Sequence, residues 1–97
     1  MDKLFYLVAG LGKTGYSIAH YLKRQNRSFI AFDTRDTIEG IAQFKVDFPN
    51  VEIYFHELPS AIYSQIAAII LSPGISLDEP FLVKARSLDI PIYGDIE

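Results

Sequence analysis

The sequence predicts a three-layer α/β domain with a five-stranded parallel sheet at its centre. Three observations predict it. Five short apolar runs recur along the 97 residues. Stretches with helical spacing stand between them. A glycine-rich turn follows the first run at once. Most of the runs are continuously apolar rather than alternating, the mark of strands covered on both faces. Strands alternating with helices imply right-handed crossovers, with helices on both sides of the sheet.

The first run is LFYLVA, residues 4–9. A helix is expected from Thr14 to Gln25. It carries Ile18, Ala19, Tyr21 and Leu22 on one side, and ends on Lys23, Arg24 and Gln25. Cations there suit the negative end of the helix dipole. SFIAFD (28–33) is the second strand. A second helix is expected from Ile38 to Phe48, with Ile38, Ile41, Ala42 and Val46 at helical spacing. VEIYF (51–55) is the third strand, and Pro59–Gln65 supplies one or two helical turns. AAIILS (67–72) is the fourth strand. Pro80–Leu88 reads as a helix with proline in its first turn and Asp78 or Glu79 at its start. PIYGD (91–95) closes the order. There is no internal repeat, low-complexity tract or linker.

Composition narrows the function classes. Nearly half the residues are apolar, at 49%, so the chain should fold around one modest core. A net charge of −3 argues against general nucleic-acid binding, which needs a basic face. There are no cysteines, hence no disulfide, no thiolate metal site and no thiol nucleophile. The apolar run after Lys3 is shorter than a secretory core of roughly 7–15 residues, and glycines follow it at once. No stretch approaches the roughly 20 apolar residues that span a bilayer. The expectation is a soluble, cytoplasmic domain without membrane contact.

The glycine turn carries the first functional signal. It reads Gly10-Leu11-Gly12-Lys13-Thr14-Gly15, between a strand and a helix. An ATP-binding loop of the form G-x-x-x-x-G-K-[ST] would need a glycine at position 7, which is Leu7. The dinucleotide pattern G-x-G-x-x-G fits letter for letter. In that pattern Gly10 makes the tight turn, Gly12 lets the backbone approach a ligand, and Gly15 lets the helix pack close to the strand. The first-turn N–H groups then face an anion, which the helix dipole favours. The plainer alternative is a turn used only for packing.

Two further segments should share that edge of the sheet. The second strand ends in Asp33-Thr34-Arg35. Asp33 stands about 20 residues past the glycines, where dinucleotide folds place a ribose-binding carboxylate. Thr34 offers a hydroxyl, and Arg35 a planar cation that can stack on a base. The fourth strand ends in Ser72-Pro73-Gly74. Ligands of open α/β sheets bind beyond the carboxyl ends of the strands, so this turn should face the glycine loop. A solvated turn is the plain reading of either segment.

Other candidates read as structural. His20 belongs to the first helix and His56 to a loop. Asp78-Glu79 reads as helix N-terminal charge, and Asp95 with Glu97 as a strand end. No His, Asp or Glu spacing suggests a metal site. The tyrosines are too spread out for a stacking platform.

Taken together, GLGKTGYS, DTR, SPGI and the later GDIE resemble the N-terminal domain of the Mur ligases. The resemblance spans Phe5 to Glu97, and SPGI with GDIE is its most discriminating part. It implies that residues 1–97 form a Rossmann-like domain that binds a UDP-sugar. The diphosphate would lie on Gly12, Lys13, Thr14 and Gly15. Uracil would lie by Asp33, Thr34 and Arg35, and the turn Ser72, Pro73 and Gly74 would face the sugar and phosphates. Lys13 occupies a variable position of the loop. The resemblance further implies a monomeric ligase of peptidoglycan precursor synthesis that joins D-glutamate to UDP-N-acetylmuramoyl-L-alanine. ATP phosphorylates the substrate carboxylate, and the glutamate amine displaces the phosphate. ATP and magnesium would be held by a central domain, and D-glutamate largely by a C-terminal one, both outside this chain. The domain itself would bind without catalysing. An NAD(P)-binding domain of an oxidoreductase or sensor is the alternative, with Asp33 on the adenosine ribose and Arg35 suited to a 2′-phosphate.

Overall fold

The computed structural model describes residues 5–94. Strands β1 (Phe5–Ala9), β2 (Phe29–Asp33), β3 (Ile53–Phe55), β4 (Ile66–Leu71) and β5 (Ile92–Tyr93) form one parallel sheet in the order β3-β2-β1-β4-β5. Helices α1 (Lys13–Arg24), α2 (Ile41–Asp47) and α3 (Pro80–Ser87), with a short 3₁₀ turn at Ser60–Gln65, make the crossovers. The three-layer α/β architecture with five parallel strands is the one the sequence implied.

Each inner strand is buried on both faces, which explains its unbroken apolar character. Leu7 and Ala9 of β1, with Ile30 and Phe32 of β2, pack against Phe81, Leu82 and Ala85 of α3. Val8, Phe29 and Ala31 point the other way. There they meet Ala19 and Leu22 of α1 and Phe44 beside Phe48 at α2. Strand order reverses at β1, whose neighbours are β2 and β4. At such a switch point the loops leaving adjacent strands diverge and open a crevice.

Several elements differ from the sequence expectation. The second helix begins at Ile41, not Ile38, because Gly40 takes a left-handed conformation (φ 86°) that interrupts the helical register. Ile38 is still buried, from the preceding loop. Phe44 and Phe48, four residues apart, take the inward face of α2, so Val46 turns outward and is 72% exposed. Tyr21 was expected on the apolar side of the first helix. It is exposed, because α1 buries Gly15, Ala19 and Leu22 instead. β3 is shorter than expected and β4 starts at Ile66. The last strand runs Ile92–Tyr93, and Asp95, Ile96 and Glu97 of the GDIE segment lie outside the described residues.

Candidate functional site

The glycine loop is built by contacts that leave no room for side chains. Gly10 has φ 93°, the left-handed region, and a Cβ there would lie 2.8 Å from Ser72 Cβ. Its N–H donates to the Phe32 carbonyl at 2.7 Å, which ties the loop to β2. A Cβ on Gly15 would come within 1.8 Å of the Gly10 carbonyl oxygen. Gly15 therefore lets α1 rest directly on the loop. Gly12 is different. It is the N-cap of α1, with φ −77° and open space where a Cβ would be. No side chain caps the helix there, so the first-turn N–H groups of Lys13 and Thr14 open on solvent and a ligand can approach the backbone.

A cleft of about 420 Å³ lies over this loop. Gly12, Lys13 and Thr14 contribute from the loop and α1. Asp33, Thr34 and Arg35 contribute from the end of β2, and Ser72, Pro73 and Gly74 from the end of β4. Nine of the ten residues singled out in the sequence thus converge on one crevice. The tenth, Gly15, packs beneath it on Gly10. Gly74 has φ 93° with open space at its Cβ position, so the turn requires glycine and exposes its backbone.

Two of these residues do something the sequence did not reveal. Asp33 is 2% exposed, and its carboxylate is turned onto its own chain. Oδ1 accepts the Arg35 N–H and the Arg35 Nε–H, both at 2.9 Å. Oδ2 accepts the Leu11 N–H and the Arg35 Nη2–H, also at 2.9 Å. All four lone-pair sites are taken. The geometry is thus unlike a free ribose-binding carboxylate. Burial pushes the Asp33 carboxyl up, but bonds from the Arg35 side chain and the Leu11 and Arg35 N–H groups, with the Arg35 charge, hold it below its usual value. Arg35 keeps its side chain 61% exposed at the rim while its fork grips Asp33. Ser72, also buried, donates its hydroxyl to the Gly10 carbonyl at 3.0 Å.

A second hollow of about 350 Å³ adjoins the cleft and shares Gly12, Lys13 and Arg35 with it. Tyr16, Ile38 and Phe44 form its apolar wall, and sequence reasoning assigned none of them to a site. The only sequence signal was the place of Tyr16 directly after the glycines. The Tyr16 hydroxyl donates to Asp47, joining α1 to α2. That bond pushes the tyrosine up. The same bond, with Gln43 and His20, holds Asp47 below the usual carboxylate range against a smaller effect of burial. His20 sits edge-on between Tyr16 and Phe48, at 4.6 and 4.8 Å between ring centres, as a packing residue. A larger groove, about 660 Å³, runs on the α3 side past Thr34, His56 and Tyr63. Its cation Lys84 is engaged by Ser60 at 3.0 Å and lies over the Tyr63 ring. His56 has φ 70° and donates its N–H to the Asp33 carbonyl. Among the described residues no three His, Asp or Glu side chains converge as a metal site would need, and no helix is long and apolar enough to cross a membrane.

Comparison with known families fits this geometry. The family model described as "Mur ligase MurD-like, N-terminal domain" matches residues 5–94. The chain belongs to that family. It is 54% identical, over all 97 residues, to the UDP-N-acetylmuramoylalanine–D-glutamate ligase of Legionella pneumophila strain Paris, covering 22% of that protein. Ligases of the same name from Shewanella violacea and Pseudomonas aeruginosa are each 37% identical, over 95% and 96% of the chain and 20% and 21% of their own lengths. The chain thus spans about a fifth of the curated relatives it matches.

Proposed function

We propose that this domain binds the UDP portion of UDP-N-acetylmuramoyl-L-alanine for an ATP-dependent ligase that adds D-glutamate in peptidoglycan precursor synthesis. The observation that carries the reading is the convergence of three strand-end segments on one cleft at the switch point of the sheet. The names of the relatives support it.

In this reading the diphosphate lies across the N-terminus of α1. The N–H groups of Lys13 and Thr14 donate to its oxygens, and the Thr14 hydroxyl and Lys13 ammonium stand within the same wall. Uracil lies against Thr34 and the exposed face of Arg35. The open backbone at Gly74 leaves room for sugar or phosphate. These groups bind and orient. The residues described here do not fit ATP and magnesium: Leu7 breaks the P-loop spacing and no acidic cluster is present among them. Those components, and the D-glutamate site, belong to segments beyond this chain. The whole protein then works in the cytoplasm as a monomer on a small-molecule substrate.

Calorimetry with UDP-N-acetylmuramoyl-L-alanine tests the reading. Saturable binding that UDP competes away, and NAD(H) or NADP(H) does not, is expected. Binding of a nicotinamide cofactor without competition from UDP would refute it.

A further inference from the structure

We infer that Asp33 and Ser72 are positioning residues that brace the glycine loop from its two sides, rather than residues that recognise the base. The inference rests on the proposed UDP-binding function and refines the roles within it.

Apart from the tyrosine Tyr63, Asp33 and Ser72 are the only buried residues with polar side chains among the described residues. Asp33 ends β2 and Ser72 directly follows β4, the two strands that flank β1, so they stand on opposite sides of the loop leaving it. Asp33 reaches across 22 residues to the Leu11 N–H, and Ser72 across 62 residues to the Gly10 carbonyl. One brace holds a donor of the loop and the other an acceptor of the adjacent residue. No buried side-chain nitrogen or oxygen among the described residues lacks a partner, so the braces are complete without a ligand.

The physical need is plain. Gly10 and Gly12 are the residues with the most backbone freedom to lose, and Gly10 is held at a left-handed φ. A loop left free would have to order itself each time an anion bound. Fixing it beforehand removes that entropy cost from binding. Asp33 has a second effect. Its remaining two side-chain bonds grip Arg35 and fix the plane of the guanidinium at the rim, where a base could stack. Asp33 thus acts on the diphosphate through Leu11 and on the base through Arg35.

The test uses the full-length protein with Asp33→Asn and Ser72→Ala. UDP and CDP are made to compete against a fluorescent UDP-sugar, and Leu11 amide exchange is followed without ligand. Braces acting through the loop predict that Ser72→Ala weakens UDP and CDP by the same factor, about tenfold, leaving base preference intact. Asp33→Asn should weaken both at least as much. In Asp33→Asn the Leu11 amide should lose more protection than that of Val8 in β1. Weaker UDP binding in Ser72→Ala with Leu11 protection unchanged would show direct contact and overturn the inference. Unchanged affinities with only a lower Tm would reduce both residues to structural ones and overturn it equally. Leu11 protection that is the same with and without the Asp33 carboxylate also overturns it. A wild-type protein that binds no UDP-sugar would refute the proposed function, and the Leu11 exchange would still decide the brace.

Discussion

Replacing Gly15 with alanine sets two effects of opposite sign against each other. Gly15 lies in the first turn of α1, and alanine is favoured over glycine inside helices by up to about 1 kcal/mol. If helix propensity governed, the variant would be stabilised. The structure says otherwise. An added Cβ would stand 1.8 Å from the Gly10 carbonyl oxygen and 2.9 Å from its carbon. These are backbone atoms and cannot swing aside like the end of a long side chain. Gly10 is itself fixed by the Phe32 carbonyl and the Ser72 hydroxyl. Helix and loop must therefore part, at about 3 kcal/mol, the upper end for overpacked sites. The net loss is about 2 kcal/mol after the gain in propensity. For a domain of this size that lowers Tm by about 8–16 °C. Urea and thermal unfolding of wild type and Gly15→Ala measure it directly. A variant as stable as wild type, or more stable, would refute the packing argument for this glycine.

Three further outcomes follow from the same geometry. Gly12→Val should fold normally, since nothing lies within 4 Å of the new Cβ, yet bind a UDP-sugar at least about tenfold more weakly by blocking approach to the first-turn N–H groups. Unchanged affinity in calorimetry would remove the loop from the site. Arg35→Ala should weaken UDP by about 1–2 kcal/mol, the scale of a base-stacking or cation–π contact, and an unaltered dissociation constant would remove Arg35 from the base site. The folded Asp33 carboxyl lies below its unfolded value, so its bonds stabilise the fold above the ordinary aspartate range and that stability is lost as pH falls through the lowered value. The stability gap between wild type and Asp33→Asn, read from urea midpoints, should be constant near neutrality and shrink below about pH 4; a gap that widens on acidification contradicts this.

The strands were legible because burial on both faces leaves an unbroken apolar run, as in Leu7-Val8-Ala9 and Phe29–Phe32. Their order along the chain also set the edge on which the loops meet, so the cleft could be placed from three short segments. What spacing could not give was the direction of a side chain. Asp33 stands where a ligand-binding carboxylate is expected, but its neighbours in space are Leu11 and Arg35, and they take all its acceptor sites. The bond from Ser72 to Gly10 was illegible for the same reason, because the two are remote in sequence. The second helix was misplaced because Gly40 breaks the helical period while Ile38, outside the helix, is still buried. The Tyr16–Asp47 bond and the hollow beside it depend on how α1 packs on α2, which no local pattern encodes.

The central claim is that the crevice over the glycine loop is a UDP-sugar site. The most direct measurement is amide chemical-shift mapping while UDP-N-acetylmuramoyl-L-alanine is titrated into the protein. The account expects saturable shifts concentrated at Gly12, Lys13 and Thr14, at Thr34 and Arg35, and at Gly74. Shifts centred instead on the α3-side groove around His56 and Tyr63, or no saturable shift in the loop, would contradict it.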